Sequence, residues 1–165
     1  MRMHMRTAIA MLGLLALMLT APGLAGGGSL AAAELFTKSK SGSFDDVKFD
    51  LTNAIIDRGL VVDYTGSVAG MLDRTGADVG STKKLYRHAE YFVFCSAKLS
   101  RQMMEADPTN IGFCPFVVFI YEREDKPGEI VVGARPPTPR GDDASRKALA
   151  AVDGLLQGIV SDAVK

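Results

Sequence analysis

Apolar residues along this chain change their spacing several times, and each change marks an element. Between Ser43 and Gly59, Val47, Leu51, Ala54 and Ile55 fall on one helical face. Ser43 with Asp46 has the form of a capping box, and Gly59 after Arg58 supplies a left-handed cap, so the spacing predicts an amphipathic helix over 44–58. Leu60–Tyr64 (LVVDY) is β-rich and begins directly after that glycine. Ser67 can then cap a short helix through Val68, Met71 and Leu72, ending near Thr75-Gly76 before a polar, glycine-bearing loop, TGADVGST.

The segment Ala89–Cys95 (AEYFVFC) is apolar on both alternating faces, the pattern of a central strand covered on both sides. Leu99, Met103 and Ala106 fit one face of a helix that Asp107-Pro108 ends, because proline lacks an amide hydrogen and disfavours helical geometry in the residue before it. Phe116–Tyr121 (FVVFIY) and Ile130–Ala134 (IVVGA) flank the turn EDKPGE and read as a hairpin. RPPTPR, 135–140, is an extended connector. From about Asp143, Ala148, Val152, Leu155, Leu156, Ile159, Val160 and Ala163 make one continuous stripe, an amphipathic C-terminal helix over 142–165 that needs a sheet to cover. The expected fold is α+β: a mostly antiparallel sheet of about four to five strands with helices packed on it.

The N-terminus departs from these periods. Arg2 and Arg6 precede an uncharged apolar run over 8–19 that is shorter than the ~20 residues of a membrane span, and small residues follow it. Residues 1–33 are therefore expected to be a signal peptide, cleaved after Ala33 or Ala25. The mature protein would be periplasmic or secreted, without a stable membrane span, as one α+β domain over 34–141 with the C-terminal helix packed on it. Removing Arg2 and Arg6 lowers the 19 Lys+Arg to 17 against 19 Asp+Glu. A slightly acidic chain with dispersed bases excludes nucleic acid as the expected partner.

The chemistry-bearing residues are few. Cys95 and Cys114 are the two cysteines, each beside a predicted strand, and export favours their oxidation to a disulfide. The functional variant of that pair is a labile redox couple, which requires exposure, strain or a depressed thiol pKa and lacks C-x-x-C spacing here. A copper or zinc site would have to recruit among His88, Cys95, Cys114, Met103 and Met104, in a spacing that matches no zinc motif. C-x-x-C-H haem attachment is absent. The expectation is no cofactor, with metal or non-covalent haem as alternatives. A thiol nucleophile activated by His88 is the conceivable enzymatic arrangement, yet there is no serine elbow, phosphate loop or carboxylate pair, so no catalytic residue is assigned. Tyr91, Glu90 and Asp107 are further candidate pocket residues, although Asp107 is also explained as a turn-former before Pro108.

MLDRTGADVG, followed by LYRHAEYFVFCSAKLSRQMMEADPTNIGFCPFVVFIYE, resembles domain-of-unknown-function family 302 over roughly 42–135. The Asp107-Pro108 turn, the Cys114-Pro115 start of a strand and the Tyr121 strand end carry the likeness. The resemblance implies helices on a mostly antiparallel sheet, and dimers in some members; it supplies no catalytic residues. Cys95 and Cys114 stand where the family pattern has glycine or asparagine and leucine, which implies a paired role within one branch. The resulting expectation is an exported small binding or accessory domain, its partner a small ligand or an envelope protein. The alternatives are a thiol-based redox or copper/zinc handling protein, and a structural homodimer using its sheet or C-terminal helix.

Overall fold

In a computed structural model of the protein, residues 34–165 are described. The expected signal peptide, 1–33, lies outside them. Five strands form one antiparallel sheet in the order β1-β5-β4-β3-β2: β1 Phe36–Ser41, β2 Val62–Ser67, β3 Tyr86–Phe94, β4 Phe116–Arg123 and β5 Glu129–Ala134. The helices are α1 Phe44–Ile56, α2 Val68–Thr75, α3 Ala97–Ala106 and α4 Asp143–Ala163, with a 3-10 turn over Pro108–Phe113. The architecture is the expected α+β fold. Among the described residues no helix is long and apolar enough to cross a membrane.

The capping signals act where the sequence places them. The Ser43 hydroxyl accepts from the Asp46 amide, the Ser67 hydroxyl accepts from that of Gly70, and Gly59 takes φ 71° behind α1. Helix α1 stops at Ile56, two residues short of the expected 58, with Asp57 as its cap. Strand β1 has no counterpart in the sequence reading, because its interior is Thr-Lys-Ser-Lys. It is an edge strand: Lys38 lies over the Phe36 ring, Lys40 pairs with Asp50 of α1 at 2.9 Å, and such charges suit an edge that must not recruit another chain.

Alternation along the strands gives the sheet two unlike faces. Phe92, Phe94, Phe116, Val118, Ile120, Ile130, Val132 and Ala134 point to one face and are buried with Val47, Leu51 and Ile55 of α1 and Leu149, Val152, Leu156, Ile159 and Val160 of α4. The opposite face carries Tyr91, Val93, Val117, Phe119, Tyr121 and Val131, which are half-buried or, for Val117, exposed. The expectation that β3 is covered on both sides is therefore corrected. Its second face is shielded by aromatic rings: Tyr91 lies across Gly66 of β2, and Phe119 lies across Gly133 of β5 and stacks with Tyr121 at 6.2 Å. A Cβ at Gly66 would stand 2.2 Å from the Tyr91 ring and one at Gly133 2.4 Å from the Phe119 ring, so glycine is required for these rings to lie flat.

The connection from β3 to β4 is pinned to α4 by one buried amide. Asn110 of the 3-10 turn is fully buried; its Nδ2 donates to the Met103 carbonyl at the end of α3 and to Ser145 Oγ in the first turn of α4, both at 2.8 Å. Asn110→Ala leaves the buried Ser145 hydroxyl without this donor, while the Met103 carbonyl keeps the Asp107 amide, and is expected to lower unfolding free energy by about 1–3 kcal/mol in urea melts. A change under ~0.5 kcal/mol would show that this pin is dispensable.

Candidate functional site

Cys95 and Cys114 meet because β3 and β4 are paired in register. Phe94 lies opposite Phe116, so Cys95, one residue past the end of β3, faces the start of β4. Between them the chain makes an excursion through α3 and the 3-10 turn. Ser96 opens α3 by accepting from the Leu99 amide, which turns the chain away from the sheet immediately after Cys95. Asp107 closes α3 and starts the 3-10 turn: its Oδ1 accepts from the Thr109 amide at 2.8 Å and hydroxyl at 2.7 Å, and Pro108 occupies the first position. The Cys114 amide then donates to the Ile111 carbonyl, and a cis Cys114-Pro115 peptide leads into β4.

The two sulfurs are 3.6 Å apart, in contact but not bonded, since a disulfide has its sulfurs about 2.05 Å apart. Ser100 Oγ of α3 lies 3.6 Å from the Cys114 sulfur, so a hydroxyl touches the same thiol. Cys95 is exposed, whereas Cys114 is half-buried against the core. Partial desolvation, then the Cys114 thiol and the Asp63 carboxylate, push the Cys95 thiol up to about 11. Asp63 is the extra residue of a β-bulge in β2, where the register shifts between Val62 and Tyr64 opposite β3. A thiol raised this far is almost wholly protonated near neutrality and is a poor nucleophile, since the thiolate is the attacking species.

The remaining sequence candidates are dispersed. His88 stands near the start of β3, seven residues from Cys95 along extended chain, roughly 23 Å at about 3.3 Å per residue. Its ring stacks on Phe44 at 4.6 Å, and its Nε2 lies 3.9 Å from the buried Glu122 carboxylate. His88 is thus placed neither to activate a cysteine nor to share a metal with the pair. Met103 is fully buried in the core and Met104 is partly buried against it. Among the described residues no group of three or more His, Cys, Asp or Glu is arranged to hold a metal ion.

Glu90 and Tyr91 occupy opposite sheet faces and do not form one pocket: Glu90 pairs with Lys48 of α1 at 2.7 Å, whereas Tyr91 lies over Gly66. Asp107 is a cap, and the hydrogen bonds from the Thr109 side chain and backbone hold its carboxyl below the usual range.

A cavity beside the pair has no counterpart in the sequence reading. About 660 Å³ in volume, it is lined by Phe113 and Pro115 on either side of Cys114, by Val117 and Phe119 of the open sheet face, and by Arg135 in the connector before α4. It joins segments far apart in the chain, so local pattern could not reveal it. The one available signal was RPPTPR, an extended connector carrying two arginines, Arg135 and Arg140, between two apolar elements.

A family model described as domain of unknown function DUF302 matches residues 36–163. The match runs from β1 to the end of α4 and so takes in the C-terminal helix. No curated protein matches the chain. Among solved structures, an uncharacterized conserved DUF302 protein from Bacillus stearothermophilus is similar, with a TM-score of 0.65 at 16% sequence identity over 79% of this chain and 98% of that one. At that identity the likeness concerns the fold. With the family model covering nearly all of the described residues, the chain belongs to the DUF302 family.

Proposed function

We propose that this protein is a small binding or accessory domain, exported to the periplasm or beyond, whose Cys95 and Cys114 close to a structural disulfide. The observation that carries the reading is the 3.6 Å between the sulfurs, which leaves a displacement of only about 1.5 Å to bonding distance. One sulfur is exposed, so an oxidant can reach it. Closure is an exchange with a disulfide of the compartment: one thiolate attacks it, the second displaces the first mixed bond, and the external disulfide leaves as two thiols carrying both protons and both electrons.

The raised Cys95 thiol favours a structural over a catalytic role. A Cys95 thiol near 11 is seldom a thiolate at neutral pH and attacks slowly there, which disfavours a catalytic nucleophile. The copper or zinc alternative lacks a cluster of three or more His, Cys, Asp or Glu among the described residues. The apolar cavity adjoining Cys114 is the feature that supports a binding role.

Protein isolated from the exported fraction and alkylated under denaturing conditions without reductant is expected to keep its intact mass, and to take up alkyl groups at both cysteines after reduction. Uptake at both thiols without reduction would remove the disulfide. Under oxidising conditions, the Cys95→Ser, Cys114→Ser double variant is expected to unfold with about 3 kcal/mol less free energy, the contribution of closing a loop of this length. In the reduced, folded protein the alkylation rate at Cys95 is expected to climb about tenfold per pH unit from neutrality to about pH 10, because deprotonation becomes half-complete only near 11. A plateau below about pH 9 would contradict the raised thiol.

A further inference from the structure

The cavity beside Cys114 combines an apolar wall with one cation that has no protein partner among the described residues. Its sides come from Phe113, Pro115, Val117, Phe119 and, from α4, Leu156, and its rim from connector residues 136–138. Arg135 also lines it and is exposed. Every other described arginine either meets a carboxylate or donates to a hydroxyl or a backbone carbonyl. Arg135 has no such partner among the described residues. A guanidinium presents paired N–H donors in a planar fork that matches a carboxylate, and its neighbour here is an apolar cavity rather than a protein acid.

The volume is that of a small-molecule site, since ligand pockets span about 300–1,000 Å³ and are mostly apolar with a few placed polar groups. A depression of about 480 Å³ elsewhere, around Lys83, Lys84, Tyr86 and Arg123, lacks this character because Lys84 and Arg123 already pair with Glu124 and Asp125.

We propose that the cavity binds a small amphipathic carboxylate, with the alkyl chain against Pro115, Val117 and Phe119 and the carboxylate on the Arg135 guanidinium. This deepens the binding-domain reading and rests on it. A medium-chain fatty acid is the simplest ligand of the class. Phe113 and Pro115, which flank Cys114, line the same cavity.

Isothermal titration of the purified protein with decanoate, and with decanol as the uncharged counterpart, tests the proposal. Decanoate is expected to bind saturably at one site and decanol about tenfold more weakly, the loss of about 1.4 kcal/mol from one charge-assisted contact. Arg135→Gln is expected to weaken decanoate by the same factor and leave decanol unchanged. Val117→Asp, at a position 38% exposed in β4, is expected to abolish both in protein whose urea unfolding midpoint matches the parent's, and a folded variant that still binds both would overturn the placement of the alkyl chain. Decanol bound as tightly as decanoate, or decanoate indifferent to R135Q, would overturn the carboxylate while leaving an apolar binding site. If neither ligand binds, both the carboxylate and the binding role of this cavity fail, and the disulfide is judged separately by alkylation.

Discussion

The pairing of β3 with β4 is the constraint on which the rest of this structure depends. It sets Phe92 against Val118 and Phe94 against Phe116, four aromatic or branched side chains that all enter the core beneath α1 and α4. Because side chains alternate, a slip of one residue would turn this entire set to the opposite face, so burial itself fixes the register. The fixed register in turn brings the end of one strand to the start of the next, and there the two thiols touch. The cysteine pair is thus a consequence of core packing and needs no dedicated scaffold.

The opposite sheet face is covered differently, through the β2–β3 and β4–β5 pairs. Its aromatic side chains lie flat over glycines on neighbouring strands and on each other, which removes apolar area from water without a second layer. Tyr91 over Gly66 and Phe119 over Gly133 are the two instances, and both depend on a missing Cβ. Toward one end this face runs into the cavity that adjoins Cys114, where Phe113 and Pro115 line the cavity on either side of that cysteine.

Helices α1, α3 and α4 were legible in the sequence because caps and a 3.6-residue period agree there; Ser43, Gly59 and the Asp107-Pro108 stop each do what their chemistry implies. Strand β3 was legible from Ala89 on, but its first residues include Arg87 and His88 and were lost because polar residues there face solvent or Glu122. Strand β1 was not legible at all, since an edge strand with two lysines has no apolar alternation to show. At the site, the proximity of Cys95 and Cys114 depends on long-range register and could be suspected but not measured. The distance of His88 from that pair was readable, because seven residues of extended strand separate it from Cys95. The cavity and Arg135 were hidden, being assembled from segments that no local window spans.

The β3–β4 register at its cysteine end is therefore the feature from which both the core and the thiol contact follow. Nuclear Overhauser contacts measured on the reduced protein test it directly. The register predicts cross-strand contacts between Phe92 and Val118 and between Phe94 and Phe116, together with contacts between the β-protons of Cys95 and Cys114. Contacts of Phe94 with Val117 in place of Phe116, and none between the two cysteines, would contradict it.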